Sequence, residues 1–235
     1  KKGADKNRNG EERMVQSGKI SKFQMKVAIA ILSIITLIVG FYLIFSVFQT
    51  DIYKISIFLI LGISSIIAAI KYTVGKSAYG YKAYGDLSVF IFFGMVGVIG
   101  SYYLFTKNFH WITIPGALFT GLMSCGVLNL NNMRDYENDI INNKITLVVK
   151  MGLHKSKKYH FLLLFLSISS LITIVFFSQN YYYIISIFPL IFVIRHLIHL
   201  NQYLKMKLLD SQLKIISISC FGCSFISLII GLLIN

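Results

Sequence analysis

Seven uninterrupted apolar runs, roughly 24–48, 52–70, 87–105, 112–130, 160–178, 181–200 and 214–234, dominate this chain. A helix needs about 20 apolar residues to cross ~30 Å of hydrocarbon at ~1.5 Å per residue, and each run supplies that length. None alternates between apolar and polar residues as a barrel strand does, which excludes a barrel. The expected fold is all-α: a polytopic membrane bundle with seven transmembrane helices, every backbone polar group satisfied within its own helix. Composition supports this, since only 14% of the 235 residues are charged, against about one quarter in soluble domains. Three cysteines make no disulfide scaffold. Residues 1–235 read as one membrane-embedded domain.

A net charge of +14 would point to nucleic acid in a soluble protein. Here the placement of the charge excludes that partner. Of the 23 Lys and Arg, 19 fall in or at the edge of four stretches on one side of the expected bundle, 1–23, 71–86, 131–159 and 201–213. The opposite connections hold at most Lys54 and Lys107. The positive-inside rule therefore puts the basic loops in the cytoplasm of a multi-pass protein of the plasma membrane. Two of those loops run to 16 and 29 residues, so chemistry is expected on that face. The chain also starts on Lys1 rather than Met, as a piece lacking its first residues would.

Acids are scarce, nine in all, and three crowd into Asp135-Tyr136-Glu137-Asn138-Asp139 after the fourth apolar run. If the fourth helix continues past 130, Asn131, Asp135 and Asp139 share one face at i, i+4 and i+8. Carboxylates so spaced repel each other, more strongly where water is scarce. Arg134 is expected to point elsewhere on the helix, leaving a divalent cation as compensating charge. Magnesium suits these oxygen donors and commonly bridges to a substrate phosphate. The plainer reading is a solvated polar cap on a helix end.

The neighbouring residues weigh against the plainer reading. Asn131-Asn132-Met133-Arg134-Asp135-Tyr136-Glu137-Asn138-Asp139, followed by Lys144-Ile145-Thr146-Leu147-Val148-Val149-Lys150-Met151-Gly152, resembles the second aspartate motif of the UbiA-type intramembrane prenyltransferases. The similarity is greatest to the branch acting on 1,4-dihydroxy-2-naphthoate in menaquinone synthesis, where the pattern is N-N-hydrophobic-R-D-x-x-x-D and then K-R-T-L-A-V-R-x-G. Tyr72-Thr73, Gly75, Gly80-Tyr81-Lys82, Gly85-Asp86-Leu87 and Phe92-Phe93-Gly94 resemble the same branch. Gly3-Ala4-Asp5 and Arg13 through Ser21 resemble the tail of its first aspartate motif and the run after it. Only the last Gly and Asp of that motif are present, and Ile145 stands where the branch has Arg. The family has nine helices, so the resemblance implies that the first two are absent from this sequence.

The resemblance implies transfer of a polyprenyl group from polyprenyl diphosphate to 1,4-dihydroxy-2-naphthoate, with loss of carbon dioxide and diphosphate, giving demethylmenaquinone. It implies Mg2+ as cofactor, with Asp5, Asn131, Asp135 and Asp139 as metal ligands and Asp135 and Asp139 as catalytic residues. Arg13, Lys82, Arg134 and Lys144 become candidates for the diphosphate oxygens, although each also has an ordinary reading as a positive-inside residue. Tyr72, Tyr79, Tyr81, Tyr102 and Tyr103 are available to face an allylic cation, and the prenyl tail would enter sideways from membrane lipid. A different ring acceptor is the near alternative. A small transporter component is the distant one, but it needs polar residues along a mid-membrane path, and almost none are present.

Other features carry less. Cys220-Phe221-Gly222-Cys223 lies inside an apolar run without a second pair, so packing explains it. Arg195, His196 and His199 are expected to snorkel to the headgroups. Gly94, Gly97 and Gly100 are expected to make a smooth face for close helix packing.

Overall fold

The computed structural model describes residues 14–15, 17–75, 78–205 and 208–234. The described residues are helical apart from turns and one isolated bridge. Helices α1 (Lys22–Phe48), α2 (Ile52–Thr73), α3 (Gly85–Thr106) and α4 (Thr113–Arg134) are followed by the short α5 (Tyr136–Ile141). Then come α6 (Leu147–Phe177), α7 (Leu190–Lys205) and α8 (Leu209–Ile234). A 3-10 turn, Tyr181–Ile187, leads into α7 through Pro189. Seven segments are long and apolar enough to cross a membrane, and they coincide with the seven runs read from the sequence.

Local chemistry sets the boundaries. Ser21 accepts from the Gln24 amide at 3.1 Å while the Gln24 side chain accepts from the Ser21 amide at 2.9 Å, a capping box that starts α1. Asp51 and Thr146 cap α2 and α6 more simply, their side chains accepting from the Lys54 and Val149 amides. The Asp51 carboxyl is held below its usual range by the Lys54 amide and ammonium. Pro115 falls in the first turn of α4, where its missing N–H has no partner to lose.

The structure corrects the extent of the basic connections. Residues 131–159 are mostly helix: α4 runs to Arg134, α5 follows, and α6 begins at Leu147 rather than near 160. The first three turns of α6 carry Lys150, His154, Lys155, Lys157 and Lys158, so hydropathy alone could not register them. Gly152, at φ 75 and ψ 159, breaks α6 near its start. That positive φ suits glycine.

α4 is the centre of the bundle. Its Ala117, Phe119, Met123, Leu130 and Met133 are buried, and it packs against α3, α6 and α8. At the α3–α4 crossing, a Cβ on Gly94 would lie 2.7 Å from the Ala117 carbonyl and 2.9 Å from the Gly121 Cα. The two backbones therefore touch through Gly94 and Gly121. Gly97 and Gly100 do not take part: a Cβ on Gly97 would meet α3's own Phe92 carbonyl, and one on Gly100 would meet nothing. The expected three-glycine face reduces to one contact whose other half, Gly121, only the packing reveals. The middle of α3, Phe90–Gly100, is a π-helix, wider than an α-helix and compatible with its glycines.

Candidate active site at the basic end of the bundle

The site begins where α4 ends. Asp135 departs from helical geometry, at φ −90 and ψ 7, yet the i to i+4 hydrogen bonds continue through it. The Asp135 amide donates to the Asn131 carbonyl at 3.1 Å, and the Asp139 amide donates to the Asp135 carbonyl at 2.8 Å. This keeps Asn131, Asp135 and Asp139 in helical succession, as the spacing predicts. Both aspartates are 3% exposed.

Buried carboxylates so placed need compensating charge, and the protein supplies it. The Arg134 Nε donates to Asp135 Oδ1 at 2.8 Å, and one of its terminal nitrogens donates to Asp135 Oδ2 at 3.1 Å and to Asn131 Oδ1 at 2.6 Å. Its other terminal nitrogen pairs with Asp210 at the start of α8. The expectation that Arg134 points away from the acidic face is therefore wrong. The arginine side chain is long and flexible enough to fold back over the helix end, and four acceptor oxygens of three residues converge there. Lys144 does the same for Asp139, its ammonium lying 3.0 and 2.9 Å from the two carboxylate oxygens. The Lys144 amide also donates to the Asp139 carbonyl at 2.8 Å, so the 142–146 turn is latched to α5 by backbone and side chain together.

A second connection meets this one. Lys82 and Ile145 form an isolated parallel bridge, which ties the loop between α2 and α3 to the turn carrying Lys144. Lys82 lines a cavity of about 770 Å³ together with Lys22, Lys26, Thr73 and Tyr81. Ile145 is itself half-exposed. Asp5 and Arg13, expected in the same site, lie outside the described residues.

The Gly80-Tyr81-Lys82 and Gly85-Asp86 run acquires a physical reason. A Cβ on Gly80 would stand 2.6 Å from the Tyr72 carbonyl and 3.0 Å from its ring, and a Cβ on Gly85 3.1 Å from its hydroxyl. Two glycines thus make the slot that holds the Tyr72 ring, which Tyr79 meets edge-on at 5.5 Å. Tyr79 is anchored in turn, donating to the Ala68 carbonyl at 2.7 Å. Of the five tyrosines considered for facing a cation, Tyr72, Tyr79 and Tyr81 are at this end. Tyr103 packs instead with Phe48 and Phe58, where α1 meets α2, and Tyr102 adjoins it.

An apolar groove of about 640 Å³ runs from the same end along α3, α4 and α8. Asn131 stands at its head, and Phe93, Val127, Leu128 and Phe221 are among its walls. Among the described residues no group of three or more His, Cys, Asp and Glu is placed to hold a metal. The two carboxylates and the Asn131 amide oxygen are nonetheless the hard oxygen donors that magnesium takes.

Three features escaped the sequence reading. Asp210, in the first turn of α8, shares Arg134 with Asp135. His196 does not snorkel: it is buried, donating from Nδ1 to Gln212 Oε1 at 3.0 Å, with His160 Nε2 at 3.0 Å from its Nε2. Since an amide oxygen only accepts, His160 must donate to His196. Its Nδ1 then has no partner among the described residues, and neither do the amide atoms of buried Asn129. The third is the burial of Asp86. Its position at the start of an apolar run was the available signal.

Comparison with known proteins identifies the family. The 1,4-dihydroxy-2-naphthoate octaprenyltransferase of Haemophilus influenzae is 40% identical over 164 residues, covering 69% of this chain and 53% of that protein. The protein of the same name from Escherichia coli is 43% identical over 164 residues, with the same coverage. The UbiA prenyltransferase domain-containing protein 1 homolog of Drosophila melanogaster is 32% identical over 91 residues, which is 39% of this chain and 25% of that one. The chain spans about half the length of the bacterial relatives it matches. No solved structure matches it. The model of the UbiA prenyltransferase family matches residues 1–207, both aspartates and all the basic residues around them included, and the chain belongs to that family.

Proposed function

We propose that the protein containing this chain transfers a polyprenyl group from polyprenyl diphosphate to 1,4-dihydroxy-2-naphthoate, releasing diphosphate and carbon dioxide and giving demethylmenaquinone. One observation carries the reading: an apolar groove of about 640 Å³ has at its head Asn131, which is linked to the buried Asp135 through Arg134. A molecule with a highly charged head and a long hydrocarbon tail needs such a groove. The ring acceptor follows from the bacterial relatives, which are named for 1,4-dihydroxy-2-naphthoate.

Asn131, Asp135 and Asp139, together with Asp5, are the residues that would hold Mg2+. Bound there, the ion would neutralise the charge that builds on the leaving diphosphate. Arg134 and Lys144 sit against the same carboxylates. They, with Lys82 and Arg13, are the residues that would bind diphosphate oxygens, Arg through a two-pronged grip and Lys as a point charge. Tyr72, Tyr79 and Tyr81 offer ring faces that attract an allylic cation by about 0.5–2 kcal/mol each. The charge asymmetry supports a cytoplasmic position for the basic loops, and the membrane of this reading is the plasma membrane.

The test is a transfer assay on the complete protein in membranes, with labelled polyprenyl diphosphate, Mg2+ and a panel of hydroxylated aromatic acids. The expected outcome is a prenylated naphthoquinol and labelled carbon dioxide from carboxyl-labelled 1,4-dihydroxy-2-naphthoate. Transfer only to another ring would overturn the acceptor, and no transfer at all would overturn the reaction.

A further inference from the structure

The start of α6 carries more charge than crossing a membrane requires. About 20 residues span the hydrocarbon core, whereas α6 has 31, so its basic first turns stand beyond the apolar run that begins near residue 160. From those turns His154, Lys157 and Lys158, with Phe161 and with Leu197 and Asn201 of α7, line a cleft of about 290 Å³ between the two helices. The Lys157 ammonium donates to the Asn201 side-chain oxygen at 2.9 Å, joining α6 to α7. That acceptor is neutral, so the bond leaves the charge of Lys157 uncompensated and two further N–H donors on its ammonium. Among the described residues no carboxylate pairs with His154, Lys157 or Lys158. The whole stretch 140–209 contains neither Asp nor Glu.

The depth of the cleft indicates what kind of molecule completes it. His154, Lys158, Phe161 and Phe165 follow one another at i, i+4, i+7 and i+11, along one face of α6. That face is cationic where the helix stands outside the hydrocarbon and aromatic where it enters. Phe161 and Phe165 are 55% and 54% exposed, and their rings stack with centroids 6.2 Å apart. A free anion would match only the cationic half of this face. An amphiphile with an anionic head and a hydrocarbon chain matches both halves. A diphosphate head would bring a divalent cation with it, and no acid lines the cleft to hold one. A phosphodiester, with a single negative charge, needs none. Basic pockets between membrane helices bind lipid headgroups in this way.

We propose that the α6–α7 cleft binds an anionic glycerophospholipid of the surrounding membrane. Its phosphodiester oxygens accept from Lys157 and Lys158, with His154 as a further donor, and an acyl chain lies along Phe161 and Phe165. The lipid thereby bridges α6 and α7, adding to the Lys157–Asn201 bond. The site is separate from the candidate active site, whose Asp135 and Asp139 pair with Arg134 and Lys144 and with none of the cleft residues. Lipid binding is thus independent of the transfer reaction.

The experiment is native mass spectrometry on the complete protein in detergent, titrated with phosphatidylglycerol, phosphatidylcholine or inorganic phosphate to read the affinity for each. Phosphatidylglycerol should bind most tightly. Each lysine against an anionic headgroup is worth about fivefold in affinity, so Lys157→Gln combined with Lys158→Gln should weaken phosphatidylglycerol about 25-fold. Lys71→Gln combined with Lys155→Gln removes the same charge at the same end of the bundle but outside the cleft. That pair should change the affinity by no more than about twofold, because solvent and salt screen exposed charges. Equal losses in the two double variants would report overall surface charge and overturn the proposal. So would inorganic phosphate binding as tightly as the lipid, or displacement of phosphatidylglycerol from the cleft by polyprenyl diphosphate. If the cleft double variant does not assemble, Lys158→Gln alone, at an exposed lysine, should still cost about fivefold, and an unchanged affinity there overturns the site.

Discussion

The Lys144 ammonium grips both oxygens of Asp139, at 3.0 and 2.9 Å, from a turn whose own backbone is bonded to the Asp139 carbonyl. Four residues lie between the two, and the α5 end with the 142–146 turn closes them into one unit. Arg134 and Asp135 make the equivalent pair across a single peptide bond. The acidic face is thus neutralised twice, by residues of its own segment.

Removing one partner of a buried pair strands the other. The Arg134 and Asp135 side chains are 9% and 2% exposed, so Arg134→Ala should cost about 3–5 kcal/mol. Arg134→Lys should recover only part of this, since an ammonium cannot hold Asp135, Asn131 and Asp210 together. Thermal unfolding in detergent checks both, and an Ala variant as stable as wild type would contradict the geometry.

Asp135→Ala and Asp139→Ala in the complete protein should each abolish prenyl transfer, by about 10²-fold or more, while the protein stays inserted. The measurement is turnover per inserted molecule, with insertion read by alkaline extraction. Wild-type turnover in either variant would remove that residue from the site.

Chelating divalent cations should abolish transfer in the complete protein, and Mg2+ should restore it. Titration calorimetry should show ion uptake that Asp135→Asn and Asp139→Asn each reduce, because neutral amides are weaker donors than carboxylates. Uptake unchanged in both variants would place the ion elsewhere.

The α3–α4 crossing predicts opposite outcomes for two similar substitutions. Gly94→Ala must push a methyl into the Ala117 carbonyl and should cost about 1–3 kcal/mol. Gly100→Ala meets nothing within 4 Å and should be neutral or stabilising by up to about 1 kcal/mol. Melting temperatures of the two variants separate a glycine needed for contact from one that is not.

Asn129 is fully buried and neither amide atom has a partner among the described residues. Leu at this position removes that desolvation cost at similar volume, so Asn129→Leu should raise stability by about 1–2 kcal/mol. A fall in melting temperature would mean that the amide is satisfied by a bound water or ligand.

Much of this architecture could be read directly from the order of residues. The seven helices follow from runs such as Ile52 through Ile70, and the basic face from Lys71, Lys82, Lys144 and their neighbours. Asn131, Asp135 and Asp139 could be placed in one helical succession because i to i+4 geometry is local. The start of α6 could not be read, since Lys155, Lys157 and Lys158 conceal a helix from any hydropathy window. The direction of Arg134 could not be read either: a side chain with four torsions goes where acceptors converge, and one of its acceptors, Asp210, comes from α8.

The division has a physical basis. Hydropathy and charge are sums over neighbouring residues, so crossing segments, their number and their charged end are properties of the linear chain. Which cation meets which acid, how Gly80 and Gly85 open a slot for Tyr72, and why Asp86, His160 and His196 are sealed from water depend on helices brought together from distant parts of the chain. Those contacts exist only once the bundle closes, and the chemistry of the site is made there.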